Sequence, residues 1–167
     1  MRGLSLLLSV CGGIAALLGW QLAATLIPLD PADSSMAVRL GKAAMGLLPG
    51  GGVLAAMLAA QMAGRFAAGA FDPLAGLDTR FLLVNQRVID NTVEQMALFA
   101  PALLALAAGA PAARLPAVLA LGIVFALARL LFWIGYLAGS VTRAPGMAAS
   151  FAVNLATLAA AGWYWAQ

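Results

Sequence analysis

The sequence predicts an all-α integral membrane protein that crosses the bilayer several times, and three observations indicate this fold class. Only 9% of the 167 residues are charged and 64% are hydrophobic, whereas soluble proteins carry about 25% charged residues. The mean hydropathy is +1.00. The apolar residues form five runs close to the roughly 20 residues that a helical span requires. Because the bilayer core offers no water to exposed backbone groups, each run should be a helix.

Five hydrophobic segments follow one another, and the linkers between them carry Pro, Gly and most of the charged residues. The segments are Leu4–Ile27, Leu47–Ala68, Phe81–Gly109, Leu115–Ala138 and Met147–Ala166. The predicted loops are Pro28–Met45, Gly69–Arg80, Ala110–Arg114 and Gly139–Gly146. We therefore divide the chain into an N-terminal hydrophobic helix and loop, residues 1–45, and a four-helix membrane domain, residues 46–167. Pro101 lies inside the third segment and predicts a kink there.

The first segment has a second interpretation. Arg2 precedes an apolar run, and Ala23 and Ala24 resemble the small residues at a signal-peptide cleavage site. The apolar run is longer than a typical signal core and continues up to Pro28. We therefore expect it to be retained as a helix.

The residues that the chain lacks exclude several chemistries. It contains one cysteine, Cys11, and no histidine, which excludes an internal disulfide, a thiolate metal cage and catalysis by a Ser-His or Cys-His pair. We predict no metal site. The net charge is +3, but the cations form no basic stripe, so we predict no nucleic-acid partner.

The scattered cations instead indicate orientation. One side of the membrane would carry Arg2, Arg65, Arg80 and Arg143, with Arg87 nearby, and the other Arg39, Lys42 and Arg114. The positive-inside rule favours the first side as cytoplasmic.

A polar cluster opens the third hydrophobic segment. Arg87, Asp90, Asn91 and Glu94 follow an i, i+3, i+4, i+7 spacing, which places them on one helical face. A charge near the bilayer centre costs about 2.5–3.5 kcal/mol even on the most lenient scale. The cluster should therefore face protein or a water-filled cleft.

The fourth segment carries a complementary face, formed by Arg129, Phe132, Trp133 and Tyr136 at the same spacing. Counted from the membrane side that both segments share, Arg129 and Asp90 lie at similar depth. We therefore predict an intramembrane ion pair between them that fixes helix register.

The two motifs, taken in order, resemble those of the MAPEG family, the membrane-associated proteins in eicosanoid and glutathione metabolism. Arg87-x3-Asn91-x2-Glu94 opens the third segment, and Arg129-Leu-Leu-Phe132-Trp-Ile-Gly-Tyr136 lies on the fourth, with Arg143 seven residues further on. The resemblance covers residues 47–166. It implies a MAPEG-like four-helix transmembrane bundle, here with one extra N-terminal hydrophobic helix, assembled as a homotrimer. A bacterial branch of the family fits best, which implies a multi-pass protein of the bacterial inner membrane.

The resemblance also implies residue roles and a co-substrate. Glutathione would lie in clefts between subunits near the cytosolic face. Arg143 matches the family's proposed catalytic arginine, and Arg65 offers a weaker match at the end of the family's first helix. The other matched glutathione-binding residues are Arg87, Asn91, Glu94 and Tyr136. The sequence departs from the family at Gln95 and Phe132, where tyrosines are expected.

The residue types suit that chemistry. Glutathione has two carboxylates for arginine forks and one ammonium for Glu94. A cation beside its thiol would favour the nucleophilic thiolate. We therefore predict a glutathione-dependent transferase or peroxidase acting on lipophilic small molecules within the lipid bilayer. Two alternatives stay open: a non-catalytic lipid-binding or scaffold protein of the same fold, and a small transporter that uses the intramembrane charges as an ion path.

Overall fold

The described part of the chain, residues 2–28 and 35–167, forms five long helices in a computed structural model. They are α1 Arg2–Leu26, α2 Met36–Ala68, α3 Arg80–Gly109, α4 Leu115–Ala138 and α5 Ala144–Trp165. Short 3-10 turns at Pro73–Ala75 and Ala112–Arg114 precede α3 and α4. Each of the five helices is long and apolar enough to cross a membrane. The predicted all-α membrane fold is confirmed.

Local capping explains where α2 and α3 begin and where α2 ends. The hydroxyl of Ser35 accepts a hydrogen bond from the Val38 amide at 3.3 Å, and the hydroxyl of Thr79 does the same for Leu82 at 3.3 Å. Each hydroxyl satisfies one of the unpaired amides at a helix start. Helix α2 ends at Gly69, whose φ of 65° is left-handed and suits a residue without a Cβ.

The start of α2 differs from the prediction. Residues 36–45, expected to form the end of a loop, are helical, while residues 29–34 of that loop lie outside the described part of the chain. The charges suggested a loop here, but the Arg39 guanidinium donates to the backbone carbonyls of Ala108 and Ala110 at the end of α3. The proposed domain boundary at residue 46 falls inside α2 and stays a prediction. Helix α3 remains helical through Pro101.

Close backbone contacts hold the bundle together. Helix α2 packs on α3 and α4, while α5 packs on α3, α4 and α1. A Cβ atom at Gly122 would collide with the Gly46 carbonyl, so α2 and α4 touch backbone to backbone. The rings of Phe99 on α3 and Phe125 on α4 stack with centroids 4.3 Å apart. Small residues permit this approach where hydrophobicity gives helices no reason to associate.

Candidate functional site

A cavity of about 710 Å³ opens between α1, α3, α4 and α5. We call it the charged pocket. Its charged and polar lining on α3, α4 and the loop after α4 consists of Arg87, Asp90, Asn91, Glu94, Tyr136, Ser140 and Arg143. Arg87 is seven residues into α3, so it lies about 10 Å along the helix from its start. The charged pocket therefore lies toward the membrane side that carries the start of α3 and the loop between α4 and α5.

Five of the six residues predicted to serve glutathione chemistry come together in this pocket. The exception is Arg65, at the end of α2. Its guanidinium forms a two-pronged ion pair with Asp78, with nitrogen–oxygen distances of 2.9 and 3.2 Å, and donates to the Ala70 carbonyl at 3.1 Å. Arg65 lines a separate surface hollow with Phe66 and Phe71. Within one chain, it lies apart from the charged pocket.

The charges of the pocket have no ionic partner among the described residues. Arg87, Asp90 and Glu94 are exposed in the single chain. Asp90 accepts a hydrogen bond from the Gln86 side chain at 2.8 Å. Because an uncompensated charge inside a membrane span is costly, such residues face a cavity or a partner of opposite charge. Two cations and two carboxylates are thus available to a ligand that carries both signs.

The loop after α4 positions Arg143 against an aromatic ring. The Thr142 hydroxyl donates to the carbonyls of Gly135 and Gly139 at 2.6 and 3.0 Å, and this folds the loop tightly onto the end of α4. The Arg143 guanidinium then lies 4.4 Å from the centroid of the Tyr136 ring, a distance at which a cation is attracted to the ring face. The cation is thereby held at the wall of the pocket.

Arg129 lies behind the pocket and is fully buried. Its guanidinium donates to the side-chain oxygens of Asn91 at 3.1 Å, Thr92 at 2.8 and 3.2 Å, and Ser150 at 3.3 Å. We call these four residues the buried arginine network. The predicted ion pair between Arg129 and Asp90 is wrong. One residue along a helix turns the side chain by about 100°, and Arg129 meets the neutral Asn91 and Thr92 instead of Asp90.

Asn91 belongs to both the network and the pocket. Its side-chain oxygen accepts from Arg129, and its side-chain nitrogen donates to the Glu94 carboxylate at 3.3 Å. Since a guanidinium can only donate, Arg129 fixes which end of the Asn91 amide faces the core. The nitrogen is left to face Glu94 and the pocket.

The two departures from the family pattern have different surroundings. Gln95 is buried, and both its side-chain oxygen and its carbonyl accept from Asn154, at 2.7 and 3.2 Å. It therefore belongs to the contact between α3 and α5. Phe132 does line the pocket, and its ring lies 4.3 Å from the Arg129 guanidinium and 5.6 Å from the Tyr136 ring. It supplies an apolar surface but no hydroxyl.

Some residues of the site were missed from the sequence. Ser5 and Ser9 on α1, and Met147 and Phe151 on α5, also line the charged pocket. The two serines stand four residues apart in a leucine-rich run, and this spacing was the available signal. Trp133, by contrast, donates from its indole nitrogen to the Asn85 side chain at 2.7 Å and belongs to the contact between α3 and α4.

Fold and pocket together define a multi-pass helical membrane protein with a charged cavity inside its bundle. A model of the MAPEG family matches residues 43–163, and the chain belongs to that family. The matched region includes the whole charged lining of the pocket, whereas α1 precedes it. The match concerns the family as a whole and does not assign the chain to a bacterial branch. Searches of curated proteins and of solved structures found no match.

Proposed function

We propose that the chain is a glutathione-dependent transferase or peroxidase that acts on lipophilic electrophiles. The observation that carries the proposal is the charged pocket, a cavity in a membrane bundle lined by two guanidiniums and two carboxylates that have no ionic partner in the described part of the chain. Family membership supports the fold and the placement of these residues. The activity is our inference from their chemistry.

Glutathione fits the charges and the size of the pocket. Its two carboxylates suit the planar fork of Arg87, and its ammonium suits Glu94 or Asp90. Asn91 adds an amide whose orientation Arg129 already fixes, which lowers the cost of ordering it on binding. The cavity of about 710 Å³ lies within the roughly 300–1,000 Å³ typical of small-molecule sites.

Arg143 is the residue proposed to act on the thiol. A free thiol has a pKa of about 8.5, so little thiolate exists at neutral pH. When bound, glutathione would supply the nucleophilic sulfur. The guanidinium of Arg143, held over Tyr136, would stabilise the negative charge on that sulfur.

The apolar part of the pocket suits a lipophilic second substrate. Phe132, Met147 and Phe151 line it beside the charged residues. Met147 and Phe151 are exposed at the outside of the bundle, where lipid chains would surround them. A hydrophobic electrophile would therefore reach the pocket laterally from the bilayer.

We further propose a homotrimer oriented with the charged pocket toward the cytoplasm, in the inner membrane of a bacterium. The exposed charges of α3 support an assembly, because a neighbouring subunit would shield them from lipid. Arg65 would then face a neighbouring chain rather than its own pocket. The orientation follows from the cations that lie on the same side, as the positive-inside rule requires.

The test follows glutathione and its thiolate in purified protein. Titrating glutathione into the folded oligomer in detergent should give saturable binding and a rise in thiolate ultraviolet absorbance at neutral pH. Arg143→Ala should lower the thiolate signal while leaving most of the binding intact. Arg80→Ala is the matched control, because Arg80 is an exposed arginine on the same side that does not line the pocket. No binding at millimolar glutathione would refute the proposal.

A second candidate is a non-catalytic lipid-binding or scaffold protein of the same fold. Two observations favour it: Phe132 brings no hydroxyl to the pocket, and Gln95 is turned toward Asn154. Each removes a donor that a ligand in the pocket could have used. Co-purified lipid, with no thiol-dependent turnover of epoxides, hydroperoxides or activated aryl halides, would support the second candidate. Clear turnover of any of these would support the first.

A further inference from the structure

Helix α1 has two different faces. Ser5, Ser9, Gly12, Ala16 and Trp20 recur every three or four residues, which places them on one side of the helix. The rest of the helix surface carries large apolar residues that are more than half exposed: Leu4, Leu6, Leu7, Val10, Ile14, Leu18, Leu22 and Leu26. This apolar surface suits lipid, and the small and polar side faces the bundle.

The second half of the inner face attaches α1 to the bundle. A Cβ atom at Gly12 would collide with the backbone of Pro145 at the start of α5, and Ala16 is buried beyond it. The indole nitrogen of Trp20 donates to the Ala117 carbonyl of α4 at 2.8 Å. Two contacts, one with α5 and one with α4, thus fix both the position and the rotation of α1.

The first half of the inner face is directed at the charged pocket. Ser5 and Ser9 are half-buried and line the cavity that also contains Arg87, Glu94 and Arg143. Neither hydroxyl is hydrogen-bonded to another of the described residues. A helix that only filled space here would have no need of hydroxyls. The rotation set by Gly12 and Trp20 brings both of them to a cavity that holds charged groups of both signs.

We propose that α1 is a wall of the charged pocket and that Ser5 and Ser9 bind the polar ligand held there by α3 and Arg143. The inference rests on the proposed function for the identity of that ligand, glutathione. Helix α1 lies outside the region matched by the family model, so the family match does not account for these two contacts. The hydroxyls complete the polar surroundings of the ligand on the side that would otherwise open to lipid.

Cysteine reactivity separates the two faces of α1. In a Cys11→Ala background, which removes the native thiol, Ser9→Cys should react with a water-soluble methanethiosulfonate and be protected by glutathione. Val10→Cys, the next residue on the lipid side, should react at least about tenfold more slowly, because thiols ionise poorly away from water. Equal reaction rates at positions 9 and 10 would refute the proposal that α1 forms a wall of the pocket. If the variant binds glutathione but its Ser9→Cys thiol reacts as fast with glutathione as without it, the contact between Ser9 and the ligand would be refuted.

Affinity gives the second readout. Removing both hydroxyls, Ser5→Ala with Ser9→Ala, should weaken glutathione binding by about 3- to 10-fold, as expected for one or two neutral hydrogen bonds. Filling the pocket with Ser9→Phe should weaken it by more, and Val10→Phe should leave it unchanged. An affinity for glutathione that neither the double Ser→Ala variant nor Ser9→Phe alters would refute the proposal.

A disulfide engineered between α1 and α5 tests whether α1 stays in place while the ligand binds. A Cβ atom at position 13 would lie 3.7 Å from the Cβ of Ala152, which suits a disulfide. Gly13→Cys with Ala152→Cys, again with Cys11→Ala, should therefore cross-link within one chain and still bind glutathione. Disulfides that form only between chains would refute the proposal that α1 forms a wall of the pocket. Glutathione binding that is lost on oxidation and restored on reduction would refute it as well. If the wild type binds no glutathione, the proposed function fails, and unequal reaction at positions 9 and 10 would still support the wall.

Discussion

Two arginines on neighbouring membrane helices meet opposite conditions. Arg129 is fully buried and donates to three neutral side chains, while Arg87 is exposed in the charged pocket and has no ionic partner among the described residues. Burying a charge is tolerated only when its donors are satisfied by fixed acceptors. Arg129 meets that condition within the chain, and Arg87 requires a ligand or a neighbouring subunit to meet it. A charge in a membrane helix is therefore not by itself a sign of function.

The largest expected effect is on stability, at Arg129. Arg129→Ala removes every hydrogen bond of the buried arginine network and leaves a large cavity, which should lower the free energy of unfolding by about 3–5 kcal/mol. Unfolding in detergent, followed by tryptophan fluorescence, measures it. Arg114→Ala, at an exposed arginine, is the control. If the two variants unfold alike, the network does not stabilise the bundle.

A smaller effect is expected where α5 crosses α4 beside the network. A Cβ atom at Gly146 would collide with the Phe132 backbone, so Gly146→Ala must push the helices apart and strain the contact between Arg129 and Ser150. We expect a loss of about 2–3 kcal/mol in unfolding free energy. Gly162→Ala on the same helix meets open space and should instead stabilise by about 0.5–1 kcal/mol. Effects of the same sign would contradict this packing.

The smallest free-energy change is expected at Arg87, and in binding rather than stability. Arg87→Ala should weaken glutathione binding by about 10- to 100-fold, since hydrogen bonds to a charged group contribute about 1.5–3 kcal/mol. The unfolding free energy should change by less than about 0.5 kcal/mol, because the side chain is exposed. Arg87→Lys keeps the positive charge but loses the planar guanidinium fork, so its affinity for glutathione should lie between those of the wild type and Arg87→Ala. Calorimetric titration measures the affinity of the wild type and of both variants, and unfolding in detergent measures their stability. If Arg87→Ala lowers the unfolding free energy and leaves glutathione binding unaltered, Arg87 is a structural residue and not a ligand-binding one.

Much of this architecture is predictable from the sequence, and the remainder depends on helix rotation and packing. Helix α4 begins and ends where its apolar run does, and the spacing of Arg87, Asn91 and Glu94 identifies the face of α3 that lines the pocket. Helix α2 begins earlier than expected because Arg39 finds carbonyl acceptors on α3. Hydropathy cannot anticipate such a tertiary contact.

The partners of Arg129 required the structure for a related reason. Depth along a helix can be counted from the sequence, but the rotation that distinguishes Asp90 from Asn91 is set by how α3 packs on α4. Likewise, a serine pair in a leucine-rich helix does not reveal which neighbour it faces. The close backbone contact of Gly12 with Pro145 sets the rotation of α1, and this rotation brings Ser5 and Ser9 to the charged pocket.

The central claim is that the charged pocket binds glutathione while the buried arginine network holds the bundle. Calorimetric titration of glutathione into the purified, folded oligomer tests it most directly. The predicted result is saturable binding in the millimolar range or tighter, at one glutathione per chain. A folded oligomer that takes up no glutathione at millimolar concentration would contradict the account.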